Sequence, residues 1–315
     1  MNSRAQTAQA VQSNEEIEAF ARKLLDRVGV YGKPPTPEAA IIAVASLVKH
    51  GELDLEAERA SLLKQFGAAL ISGLKKIQGL LDLRERVIFV TSDLHEKRKP
   101  FVAFHEVGHS VIPWQRDVLC RGDDNLSLSP NTKQLFEAEA NSFAANLIFQ
   151  VDAFDNEAKD CSFAIQTPIL LADRYGASYH SALRRYVERH ESPCALLILG
   201  QAIQVVGQSR KLGHVRYIVS SKQFKGQFGH PEWPHVLGGQ TVNGRVGTLV
   251  EIPRAQGQVL LRDLDGNERA FLCERWTNQF ETFLMLRPIR TKRKLFAPRI
   301  VLISGSDLKD EEGKA

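Results

Sequence analysis

Residues 99–113 read Lys-Pro-Phe-Val-Ala-Phe-His105-Glu106-Val-Gly-His109-Ser-Val-Ile-Pro113. Phe101, Val102, Phe104, Val111 and Ile112 give the stretch apolar helical faces to bury, and Pro113 ends it because proline cannot continue a helix. Residues four apart share a helix face, so the imidazoles of His105 and His109 reach one metal ion while Glu106 points beside it. There Glu106 can take a proton from water and pass it to a leaving amine. Shuffling the chain's 9 His and 22 Glu yields HExxH in only about 2% of orders, so chance explains the pattern poorly.

A catalytic zinc takes three protein ligands and keeps a position for water. No third histidine follows at the HExxHxxGxxH spacing; after His109 the chain reads Ser-Val-Ile-Pro-Trp-Gln. The candidate is a carboxylate on the next helix, expected over about 133–149, which contains Glu137-Ala-Glu139-Ala-Asn141-Ser-Phe-Ala-Ala. Glu137 and Asn141 share a face, making Glu137 the candidate ligand and Asn141 a candidate partner behind the ligands. Glu139 is turned about 200° from that face and reads as a solvated carboxylate. Ala138, Ala140, Ala144 and Ala145 permit close helix–helix approach.

HEVGH followed by EAEANSFAANLI resembles the ImmA/IrrE family of metallopeptidases, over roughly residues 85–150. The resemblance implies zinc on His105, His109 and Glu137, with Glu106 as general acid/base. It also implies an order of units: a mainly helical, zincin-like peptidase domain over 14–160, a helix-turn-helix over 161–191 and a β-rich, GAF-like sensor domain over 193–304, flanked by tails at 1–13 and 305–315. The fold class is α+β. Members of the family cleave a helix-turn-helix (XRE-like) repressor in response to DNA damage or a mobile-element signal. A branch beside CBASS antiphage operons responds to single-stranded DNA, which makes that polymer the expected activator here. The same branch suggests a cysteine switch. Cys120 lies in a stretch read as a polar loop over 114–132, both of whose ends carry ligands, so its thiolate is in reach of the fourth zinc position. The alternative is a cysteine packed on Trp114 or Leu119.

The rest of the chain is read more coarsely. At 315 residues, 43% hydrophobic and 25% charged, it has the composition of a globular protein of two or three compact units. The polar start carries no secretory pattern, and apolar runs such as Ala39 to Val48 fall short of the ~20 residues of a membrane span. Cys120, Cys161, Cys194 and Cys273 are too irregularly spaced for a disulfide framework, and the last three read as small core residues. The expectation is a soluble cytoplasmic protein with no membrane partner. Helices are expected over 14–28, from Thr36 to a stop at Gly51, and over about 55–77, with a strand at 86–90. Thr167, Pro168, Gly176 and Ser178 space two helices as a helix-turn-helix or a plain helical hairpin. Strands are expected at 196–199, 215–219, 247–252, 258–262, 283–286 and 299–304.

Charge is uneven: residues 1–192 hold 23 Lys/Arg against 26 Asp/Glu, whereas 193–303 hold 16 against 7. The basic C-terminal third suits either a polyanion or plain solvent, and its aromatics Tyr217, Phe224, Phe228, Trp233, Phe271 and Trp276 read mostly as core. Tyr175, Tyr179 or a nearby arginine is available to stabilise an oxyanion, and the sequence does not choose among them. Two other functions fit less of the pattern: a DNA-binding regulator with a vestigial metal site, for which only Arg184, Arg185 and Arg189 supply positive charge near the second helix, and a peptidase answering to a small molecule.

Overall fold

A computed structural model describes residues 2–53, 79–92, 94–120, 129–200, 203–204, 211–231, 233, 236–237, 256–289 and 299–301. The helix expected over 55–77, the strand expected over 247–252 and the Cys120 side chain lie outside the described residues. The chain divides into two units, Met1–Glu157 with Leu171–Ser178, and Ala158–Leu170 with Tyr179–Ala315.

The first unit opens with α1 (Asn2–Val28), which includes the residues read as a tail. Ile17, Ala21, Leu24 and Leu25 form its buried stripe, at the spacing of one helix face. The second helix is short: α2 (Glu38–Val44) ends well before Gly51, and Val48–Leu53 is a strand, β1. Its pairing with another strand overrides the weak helical signal there. β2 (Gly79–Asp82) and β3 (Val87–Thr91) complete a three-stranded sheet in the order β1-β3-β2, with β1 parallel and β2 antiparallel to β3. Ile88 and Val90 of the central strand are fully buried.

Helix α3 (Lys99–Val111) lies against β2 and β3 on one side and α5 (Pro130–Ile148) on the other. Being packed on both sides, it buries Val102, Ala103, Phe104, Glu106, Val107, Gly108 and His109. Between them runs α4 (Pro113–Cys120), a helix in the first part of the stretch expected to be loop. Pro113 stops α3 but also opens α4, since proline at a first helical position loses no hydrogen bond that the helix would make. Ser129 caps α5 by accepting from the Thr132 amide at 3.2 Å, and Pro130 follows it, so the helix starts three residues earlier than expected. Ala140 and Ala144, both fully buried, bring α5 close to α3. A Cβ on Gly108 would sit 3.2 Å from Phe143 Cδ1 and 3.3 Å from the Ala140 backbone, so this crossing depends on the glycine.

Helix α6 (Ala153–Lys159) follows, and α7 (Gln166–Tyr175) returns the chain to the first unit from Leu171. Asp173 pairs with Lys97 at 2.6 Å, and the Tyr175 hydroxyl donates to Glu157 at 3.1 Å.

Among the described residues, the second unit holds an eight-stranded sheet: β4 (Ala195–Leu199), β5 (Ile203–Gln204), β6 (Lys211–Ser220), β7 (Val236–Leu237), β8 (Gln256–Arg262), β9 (Glu268–Thr277), β10 (Thr282–Pro288) and β11 (Arg299–Val301). The order is β11-β8-β9-β10-β4-β6-β5, with β7 also on β6, and all pairs are antiparallel except β11–β8. Phe224 and Phe228 of α9 (Lys222–Phe228) join Ala195, Leu197, Val259, Phe271 and Leu284 in an apolar core. Trp233, partly buried, packs against this cluster, so Phe224, Phe228 and Phe271 are core, while Tyr217 is exposed.

Helix α8 (Tyr179–Arg189), the second helix of the expected helix-turn-helix, packs on β4 and β6. That packing buries Ala182, Leu183, Arg185, Tyr186 and Val187, which removes one arginine from the surface, and Arg184 pairs with Glu188 at 3.2 Å. Of the cysteines read as core, Cys194 and Cys273 are buried and Cys161 is exposed, because it lies in the turn after α6. Among the described residues, no helix is long and apolar enough to cross a membrane. Mixed helix and sheet with an antiparallel C-terminal sheet is an α+β architecture.

Candidate metal centre

The one-turn spacing of His105 and His109 on α3 sets their Nε2 atoms 3.1 Å apart. Glu137, projecting from α5, places Oε2 3.3 Å from His105 Nε2 and Oε1 3.7 Å from His109 Nε2. Among the described residues these three are the single group of His, Cys, Asp and Glu able to hold a metal ion, with ligand atoms within 4.8 Å of one another. Two ligands each about 2.05 Å from a tetrahedral zinc stand about 3.3 Å apart, which is close to the separations observed.

Proton placement supports the same reading. His105 Nδ1 is 3.1 Å from Asn141 Oδ1, and His109 Nδ1 is 2.7 Å from Gln115 Oε1. With each Nδ1 proton donated to an amide oxygen, both Nε2 lone pairs and a carboxylate converge on one point. In that tautomer a cation satisfies all three acceptors at once, and without one a proton on His105 Nε2 is donated to Glu137 instead. The residues present therefore fit a divalent cation of the zinc type.

Behind His109 lies a buried polar chain. Gln115 Nε2 donates to Glu139 Oε2 at 2.6 Å and to the Phe136 carbonyl at 3.2 Å, and Trp114 Nε1 donates to the same Glu139 oxygen at 2.8 Å. Glu139, expected to be solvated, is 6% exposed. Its turn away from Glu137 carries it onto α4, not into water. The helical spacing of α5 carried no sign of this, and a helix at 113–120 was the missing signal.

The two carboxylates at the centre are driven apart. Hydrogen bonding to His105 holds Glu137 below its usual pKa against the opposing effect of burial. Glu106 is 8% exposed, and burial pushes its carboxyl up to about 7; the His105 charge opposes this and the Glu137 charge adds to it. One carboxylate thus stays ionised to bind a cation, and the other exchanges a proton near neutrality. Burial pulls His109 down, while at His105 the same pull is outweighed by the hydrogen bond to Glu137 and the charges of Glu106 and Glu137, which raise it. β2 closes over Glu106: a Cβ on Gly79 would fall 2.8 Å from Glu106 Oε1 and 2.6 Å from Val102 Cγ1.

Tyr175 donates to Glu157, and Tyr179 packs edge-on against Trp276 with ring centroids 5.0 Å apart. Cys120 is the last residue of α4.

No curated protein matches the chain. A solved structure described as a Mycobacterium tuberculosis transcriptional regulator is similar at 12% identity and a TM-score of 0.46, covering 86% of this chain and 74% of that one. Residues 62–186, which carry α3, α4, α5 and all three candidate ligands, match the Peptidase_M78 family model, described as an IrrE N-terminal-like domain, and this supports a metallopeptidase of the IrrE/ImmA group.

Proposed function

We propose that the protein is a zinc-dependent, site-specific endopeptidase that cleaves a helix-turn-helix (XRE-like) repressor and answers to single-stranded DNA, so that an operon for stress response or antiphage defence is derepressed. The observation that carries the peptidase reading is the convergence of His105, His109 and Glu137 beside a buried carboxylate with a pKa of about 7. Zinc held by those three residues supplies Lewis acidity for hydrolysis of a peptide bond. Glu106 accepts a proton from the attacking water on its carboxylate oxygen and delivers it to the amine nitrogen as the C–N bond breaks. Asn141 keeps the His105 imidazole oriented. The basic C-terminal third is suited to phosphate contacts, and a GAF-like sensor role for residues 193–304 belongs to the same proposal, as does Cys120 as a fourth, inhibitory zinc ligand.

The test incubates the zinc-loaded protein with the XRE-type repressor encoded beside its gene, with and without single-stranded DNA. The expected result is a single cut that needs DNA and slows by about 10²–10⁴-fold in Glu106→Gln. A cut without DNA keeps the peptidase and removes the activator. No cut from a zinc-loaded protein under either condition refutes the repressor assignment.

A further inference from the structure

The two candidate histidine ligands are supported unequally. His105 leans on Asn141, an exposed residue at 3.1 Å. His109 leans on Gln115, which is fully buried, and every arm of that amide is engaged. Both Gln115 amide protons go to acceptors, the Glu139 carboxylate and the Phe136 carbonyl. Flipping the amide would aim its oxygen at those two acceptors and its protons at an imidazole nitrogen, so one orientation wins decisively. The amide oxygen then faces His109 Nδ1, which has to be the protonated nitrogen.

We propose that Gln115 is a positioning residue for the metal centre. Its amide, clamped by the carboxylate of Glu139, holds His109 with the proton on Nδ1 and the Nε2 lone pair turned to the ligand cluster. Trp114 completes the clamp by donating to the same Glu139 oxygen, so α4 and α5 jointly fix a ligand that belongs to α3. The buried carboxylate also polarises the amide toward the imidazole, which makes Nε2 a better donor to a cation. The inference rests on the metal-site reading above.

The test measures Zn²⁺ affinity by chelator competition in the full chain, wild type against Gln115→Leu, which keeps volume and removes the acceptor. Nitrogen-15 NMR of His-labelled, zinc-loaded wild type provides a second readout that needs no variant. The expected results are a 10–100-fold weaker affinity in Gln115→Leu, with the metal-free variant still folded, and a His109 Nδ1 that carries a slowly exchanging proton while Nε2 carries the metal shift. An unchanged affinity in Gln115→Leu, with the wild type binding zinc, overturns the proposal and leaves the metal site standing. A wild type that binds no zinc overturns both. If Gln115→Leu does not fold, the NMR decides: a bare or metal-bound Nδ1 on His109 overturns the proposal, and a protonated one supports it.

Discussion

The two units handle buried charge differently: the C-terminal unit pairs Asp263 with Arg269 at 3.0 Å and Glu274 with Arg287 at 3.2 Å around an otherwise apolar core. The core of the C-terminal sheet is apolar, with Phe224, Phe228, Val259, Phe271, Leu284 and Leu286 packed together. The N-terminal unit buries Glu106, His109, Gln115 and Glu139 within a few residues of its core helices. A desolvated carboxylate or imidazole costs stability unless it is paired, so an interior that concentrates such groups is organised around chemistry. The sheet is organised around holding its own shape.

The sharpest way to break this comparison is Phe271→Ala. Phe271 is 1% exposed and meets Phe224 and Phe228 edge-on. Truncation is expected to cost about 3–5 kcal/mol of stability in denaturant unfolding, with Zn²⁺ affinity unchanged. A parallel loss of zinc binding would show that the two interiors are not independent.

A second experiment sharpens the contrast through pH. In the metal-free protein burial holds the Glu106 carboxyl at about 7 when folded, against an ordinary value of 4.5. The unfolded chain therefore releases its proton first, and stability is full below about pH 4.5 and lost as pH rises to 7. The loss is on the order of 3 kcal/mol. Glu106→Gln is expected to remove most of this slope, so that metal-free Glu106→Gln exceeds wild type at pH 8 and not at pH 4. Equal slopes in thermal melts of both proteins would mean that Glu106 is solvated.

The smallest effect is expected at Gly108. An alanine there gains helix propensity but presses on Phe143 and on the Ala140 backbone, which moves only if α5 moves. Crowding is expected to win, with a net cost of about 1 kcal/mol and Zn²⁺ binding a few-fold weaker, as Glu137 travels with α5. Unaltered affinity in a chelator titration would show that the ligand geometry tolerates a shift of that helix.

How much of this was legible in the sequence depends on whether one element or several carried the information. His105, Glu106 and His109 lie on one helix, and Glu137 with Asn141 on another, so a 3.6-residue period brings out each set. The Trp114–Gln115–Glu139 chain joins two helices, one of which starts at a proline that reads as a stop. Nothing local announces that pairing. β9 carries a weaker strand signal than β4, which is also buried throughout, because Glu268, Arg269, Glu274 and Arg275 break up its apolar residues. β1 was hidden by its glycine and by the helical residues before it.

The division of the chain has a consequence for its synthesis. The backbone passes from the first unit to the second after Glu157, returns at Leu171 and leaves again after Ser178. A ribosome must therefore release thirteen residues of the later unit before the earlier one has all its parts. Translation at about 5–20 residues per second leaves the nascent first unit waiting on a segment that lies beyond its own apparent end. A gene cut after codon 157 would encode neither unit whole.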